Sequence, residues 1–201
     1  MSRARGDAGR AVPVVILSGP IRSGKTTALA HLLAGAGNPF GANDPSITGV
    51  LAPIIAGRRH LCLLRTGECR LLETDATTPD TTKPGEIVAI GPHRFSERVF
   101  SWARNELTTS PARTAEGWVV VDEVGPLELR GEGLEPALGD VIARHLAAAS
   151  FRPQRAKTEA GPRLLLVVRE GLVERVRAHY RIPSERSLAI KTNELARALG
   201  A

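Results

Sequence analysis

The chain of 201 residues carries 27 Lys and Arg against 21 Asp and Glu, with 42% hydrophobic and 24% charged residues. That length suits one domain with a substantial core and is short for two, and the balance excludes a disordered or membrane-embedded chain. The formal net charge of +6 invites an anionic partner, but aromatics are only 3%, which argues against recognition of nucleic acid by base stacking.

A single domain over 1–201 is therefore expected, with 1–11 a flexible basic tail. The apolar run 12–17 leads straight into glycines and a lysine rather than forming a signal-peptide core. No run approaches the roughly 20 residues a bilayer span needs, so a cytoplasmic location and no membrane partner are expected. Continuous and rich in β-branched residues, 12–17 reads as a parallel strand buried on both faces. A glycine-rich turn follows, then a helix over 26–33 closed by the breaker 35–39. Residues 47–55 read as a second strand, and 60–65 with 69–73 as two more joined by a tight turn, an inserted hairpin. Cys62 and Cys69 flank that turn; a disulfide is conceivable, but buried reduced thiols are the expected state, and no zinc-ligand spacing accompanies them.

Residues 75–85, rich in Thr, Pro and Asp, read as a surface loop, and 86–90 as a short strand. Phe95, Val99, Ala103 and Leu107 then repeat at helical spacing, and 118–121 is an all-apolar strand ending at Asp122. From Leu134 to Ala149 an apolar stripe at i, i+3, i+4 and i+7 predicts a helix with His145 at its end as a structural histidine. A basic connection at 151–162, a core strand at 164–168, a helix over 171–180, a short strand near 188–190 and a helix from Thr192 complete the chain. Strands alternating with helices predict an α/β fold: a mostly parallel central sheet between helical layers, with an inserted β-hairpin.

Gly19-Pro20-Ile21-Arg22-Ser23-Gly24-Lys25-Thr26 fits GxxxxGK[ST], directly after a strand and before a helix. The glycines let backbone N–H groups wrap phosphate oxygens at a helix N-terminus; Lys25 supplies charge to the β- and γ-phosphates, and the Thr26 hydroxyl is a Mg²⁺ ligand. Thr27 extends the phosphate-binding run. A matching carboxylate should end a buried strand, and Trp118-Val119-Val120-Val121-Asp122-Glu123 provides it: Asp122 for the metal, Glu123 to polarise an attacking water. Three arginines are candidates for transition-state charge: Arg22 in the loop, Arg94 after Gly91-Pro92-His93, and, ranked below them, Arg169 at the end of strand 164–168. Each could equally be a surface arginine.

The P-loop with its doubled threonine, the hairpin region 48–73, the run Val121-Asp122-Glu123-Val124-Gly125-Pro126-Leu127-Glu128-Leu129 and residues 165–169 together resemble one family. These are the small P-loop nucleoside triphosphatases that include the human cancer-related nucleoside triphosphatase and its bacterial and archaeal relatives. The similarity runs from about residue 14 to 190, and the Asp-Glu-hydrophobic-Gly-x-hydrophobic-Glu-Leu pattern is its most specific part. The resemblance implies a three-layer P-loop fold and slow hydrolysis of ATP, GTP and other nucleoside triphosphates. Pro20-Ile21-Arg22-Ser23 departs from the Pro-Gly-hydrophobic-Gly loop frequent in that family. No Asn-Lys-x-Asp guanine element is present, Thr82-Lys83-Pro84-Gly85 coming nearest, so broad base use is expected. Two rival readings remain: a small-molecule or nucleotide kinase with 152–157 as a basic lid, and a nucleotide-gated adaptor contacting a protein partner through the hairpin 49–73.

Overall fold

In the computed structural model the described residues are 12–35, 38–42, 45–74, 85–109, 117–150 and 163–199. The tail 1–11, nearly all of the loop 75–85 and the connection 151–162, including the basic lid, lie outside them.

In chain order the strands and helices are β1 (Val14–Gly19), α1 (Lys25–Leu33), β2 (Ala34–Gly35), β3 (Asn38–Ala42), β4 (Ile47–Leu51), β5 (Ile54–Ile55), β6 (Arg58–Leu63), β7 (Cys69–Leu71), β8 (Glu73–Thr74), β9 (Ile87–Ile90), β10 (His93–Ser96), α2 (Glu97–Thr109), β11 (Trp118–Val124), α3 (Ala137–Ser150), β12 (Arg163–Arg169), α4 (Val173–His179), β13 (Ser187–Ile190) and α5 (Leu195–Leu199). The main sheet runs β13-β1-β12-β11-β4-β6-β5, with β7 also on β6. From β13 to β4 every pairing is parallel, and from β4 onward the hairpin strands pair antiparallel.

The parallel strands are apolar on both faces because both faces are covered. Val14 and Ile16 of β1, Val119 and Val121 of β11, and Leu164, Leu166 and Val168 of β12 pack with α2, α3 and α4 through Phe100, Leu138, Ile142 and Val176. The alternate residues Val15, Leu17, Val120, Leu165 and Val167 pack with α1 and α5 through Leu29, Leu33 and Leu195. Period-two alternation thus feeds two cores, and three layers result. His145 is buried in α3 with Nδ1 on the Val141 carbonyl at 2.8 Å, a structural histidine whose burial lowers its pKa.

Several expected boundaries shift. The 47–55 strand breaks at Ala52-Pro53, because a proline cannot donate to the ladder. The breaker 35–39 partly becomes the small antiparallel pair β2–β3. Phe95 lies in β10, not in a helix: β10 pairs with β8 and β9 in a separate three-stranded sheet, and the helix starts at Glu97. The helix expected from Leu134 starts at Ala137, after a turn that contains Pro136. The cysteine expectation is overturned. Cys62 and Cys69 are direct partners across β6 and β7, with Cα atoms 4.0 Å apart, and they form a disulfide. Cross-strand pairing brings together two thiols that sequence spacing alone does not pair.

Candidate active site

Three neighbouring strands deliver the site to the carboxyl edge of the sheet, where ligands gather in open α/β folds. Register aligns Gly19, the last residue of β1, with Arg169, the last residue of β12. On the other side of β12, Asp122 pairs with Val167 and Val124 with Val168, so Glu123 is skipped. Such a bulge re-aims the extra residue and ends regular pairing, which turns Glu123 away from the alternation that buries Asp122.

Around the loop that follows β1, Gly24 occupies the left-handed region at φ 79°, a conformation glycine adopts without a Cβ penalty. Arg22 also lies there, at φ 60°, exposed, where a side chain is unfavourable. The first intrahelical bond of α1 runs from Ala28 N–H to the Gly24 carbonyl at 2.8 Å. The N–H groups of Lys25, Thr26 and Thr27 therefore precede the helix's own ladder and form a donor-rich, electropositive end. Lys25 is buried, and its Nζ donates to the carbonyls of Gly19 (3.0 Å) and Pro20 (2.7 Å) and to Ser23 Oγ (3.4 Å). The ammonium thus sits inside the loop's concavity, and Pro20, Ile21 and Ser23 form its exposed rim.

Asp122 is fully buried. Its Oδ2 accepts the Ala52 N–H at 3.1 Å, while Oδ1 has no hydrogen-bond partner among the described residues. Burial pushes its pKa up to about 6, with the Glu123 charge adding to the rise; the Ala52 N–H, the Thr26 hydroxyl and Arg59 oppose it. A carboxylate beside a threonine hydroxyl, with one buried oxygen unpartnered, fits a divalent cation held by Asp122 and Thr26. Among the described residues no group of three or more His, Cys, Asp or Glu could hold a metal ion. The donor set suits Mg²⁺, which takes few protein ligands and keeps waters and phosphate oxygens for the rest.

Glu123 is gripped from two sides. Arg169 Nε donates to Oε1 at 2.7 Å and Arg59 Nη1 to Oε2 at 3.0 Å, all three side chains being partly exposed. Of the arginines considered from sequence, Arg169 is thus brought to the loop and the acidic pair, and Arg22 lies within the loop. Arg94 sits exposed on β10, opposite Thr74 in the small sheet rather than at the carboxyl edge of the main one. Arg59 was not singled out by sequence; its approach to Glu123 depends on the antiparallel pairing of β6 with β4, and no local motif marks it.

Glu128, from the same acidic run, is buried and shapes the turn after β11. Its carboxylate accepts Gly125 N–H at 2.8 Å and Leu134 N–H at 3.3 Å, closing residues 125–134 on themselves. Burial raises its pKa to about 7 against those donors.

No family model and no curated protein matches this chain. Among solved structures, the crystal structure of THEP1 from the hyperthermophile Aquifex aeolicus aligns with a TM-score of 0.55 at 14% identity, covering 92% of each chain. That likeness shows the fold, a mixed α/β architecture with a mostly parallel central sheet. No helix among the described residues is long and apolar enough to cross a membrane.

Proposed function

We propose that the chain, as a small P-loop triphosphatase of the kind it resembles, hydrolyses Mg²⁺-bound nucleoside 5′-triphosphates to diphosphate and phosphate, slowly and with little base preference. The observation that carries this reading is the convergence at one sheet edge of a lysine-centred phosphate loop, a buried aspartate with an unpartnered oxygen, and a bulged glutamate beside them. The N–H groups at the start of α1 and Lys25 Nζ bind the β- and γ-phosphates, the lysine exchanging loop carbonyls for phosphate oxygens. Asp122 and Thr26 hold the cation, which neutralises phosphate charge when bound. Glu123 accepts the proton of a water as its oxygen attacks the γ-phosphorus and the bond to the bridging oxygen breaks, leaving the diphosphate. Arg169, aligned with Gly19, is the arginine best situated to meet charge on the transferred group; Arg22 lies in the loop itself, and Arg94 stands on the small sheet rather than at this edge.

Every group assigned here addresses phosphate, metal or water, and none addresses a base. Phosphate release from ATP, GTP, CTP and UTP should therefore agree within severalfold and vanish without Mg²⁺. Strict guanine dependence, with ATP inert at millimolar concentration, contradicts the reading. The adaptor alternative is favoured by one observation, the direct tie between the hairpin 49–73 and Glu123 through Arg59. Nucleotide-dependent capture of a partner by that hairpin, lost on its truncation, would support it; a kinase would instead move the phosphate to an added acceptor.

A further inference from the structure

Among the described residues Arg59 is one of two cations on the acidic pair, and it comes from the opposite side of the site from the phosphate loop. The sheet order β1-β12-β11-β4-β6 puts four strand spacings between the strand that carries the loop and the strand that carries Arg59. At 4.8 Å per spacing the two strand backbones lie about 19 Å apart, and the Arg59 side chain reaches back to Glu123 on β11. Arg169 enters from the near side, in register with Gly19. The two guanidiniums therefore reach Glu123 from opposite directions along the sheet, Arg169 from β12 and Arg59 from β6. The Arg59 backbone is itself pinned: its N–H donates to Glu73 Oε2 at 3.2 Å, and its carbonyl accepts Leu72 N–H at 2.9 Å. Glu73 is held in turn by His93 Nδ1 on its other oxygen at 3.0 Å. A charged side chain on a main chain fixed at both polar groups is a preorganised support.

We propose that Arg59 is a positioning residue for Glu123, fixed by the hairpin. It aims the carboxylate through one oxygen and compensates its negative charge, so that a terminal phosphate can approach without meeting a bare anion. The kinetic side of this proposal rests on the hydrolytic reading above; the binding side does not. When a triphosphate draws Arg169 toward its own oxygens, Arg59 keeps Glu123 in place and leaves Oε1 free for water. The alternative, that Arg59 itself binds phosphate, is the competing outcome of the test below; its engagement of Glu123 Oε2 at 3.0 Å favours the positioning role.

A double-mutant cycle separates these roles. Calorimetric titration with Mg²⁺ and a non-hydrolysable ATP analogue is run on the wild type, Arg59→Gln, Glu123→Gln and the double variant, with thermal melts to confirm folding. Uncovering a partly exposed carboxylate near the γ-phosphate should weaken binding about 3- to 10-fold in Arg59→Gln. In the double variant that loss should disappear, so that it binds like Glu123→Gln within about twofold. Single-turnover phosphate release at saturating ATP should fall about 10- to 100-fold in Arg59→Gln, part of the range general-base assistance covers. Arg59→Lys, which keeps the charge and loses the planar fork, should restore affinity more fully than rate. A binding loss that persists undiminished in the double variant makes Arg59 a phosphate ligand and overturns the proposal. Wild-type affinity in Arg59→Gln overturns it as well, leaving the ion pair merely structural. A wild type that releases no phosphate from any nucleotide defeats the hydrolytic reading alone, because the binding cycle still decides the role of Arg59.

Discussion

Gly49 sits where β4 meets β11, paired with Val120 two residues before Asp122. A Cβ built there would lie 2.0 Å from the Val120 carbonyl oxygen and 2.8 Å from its nitrogen, and Gly49 has φ +114°. Gly49→Ala therefore incurs two costs. Holding a non-glycine residue in that backbone region costs about 1–3 kcal/mol, and forcing the strands apart costs about 1–3 kcal/mol more as overpacking. Together that is about 2–6 kcal/mol, a large part of the roughly 5–15 kcal/mol that holds a domain folded. In a chain this size the melting temperature should fall by about 10 °C. The damage should also reach the site, because Ala52, just past the end of β4, donates its N–H to Asp122. Any folded Gly49→Ala protein should need more Mg²⁺ for half-maximal phosphate release. Chemical denaturation placing Gly49→Ala within about 0.5 kcal/mol of wild type, the range of a neutral surface change, would refute the close strand approach and the argument built on it.

Replacing both Cys62 and Cys69 with alanine should remove about 2–3 kcal/mol of stability, the chain-entropy value for so short a loop. Thiol titration of the unfolded, unreduced protein should find no free thiol, and two reactive thiols would contradict the bridge. Stability should also fall as pH rises from about 4.5 to 7 on account of Glu128. Its pKa is raised from 4.5 to about 7 by burial, so the native state keeps a proton that the unfolded chain has already released. The stabilisation is complete below the unfolded pKa and lost through the folded one, amounting to about 3 kcal/mol. Denaturation of wild type and Glu128→Gln at pH 5 and pH 8 checks this: the variant should lose that part of the pH dependence, and identical slopes would refute it.

What could be read from the sequence was chemistry written in consecutive residues. The loop from Gly19 to Thr27 and the acidic strand end at Asp122-Glu123 are local: strand, turn and helix follow in order, and the backbone proposed to bind phosphate is contained in one segment. The buried parallel strands were legible for a similar reason, since β1, β11 and β12 are continuous apolar runs. Contacts between segments distant in sequence were not legible. Arg59 lies 64 positions from Glu123 and Arg169 lies 46 from it, so their meeting on one carboxylate follows from sheet order alone. The same holds for the buried Glu106 of α2, neutralised through two hydrogen bonds by Arg65 beyond β6. Phe95 shows the opposite failure: its spacing to Val99 and Ala103 is helical, but pairing with Val88 and Glu73 outweighs one apolar position at a helix edge.

In the proposed mechanism binding and chemistry reside in different residues, Lys25 for the first and Glu123 for the second. That division is tested most directly by measuring single-turnover phosphate release beside calorimetric affinity for a non-hydrolysable triphosphate in Glu123→Gln, with Lys25→Ala as reference. Losing the proton-accepting carboxylate should slow release by about 10²- to 10⁴-fold while affinity holds or improves, because a negative charge near the γ-phosphate is gone. In Lys25→Ala affinity and release should fall together. A Glu123→Gln protein that binds normally and releases phosphate at the wild-type rate would contradict the account.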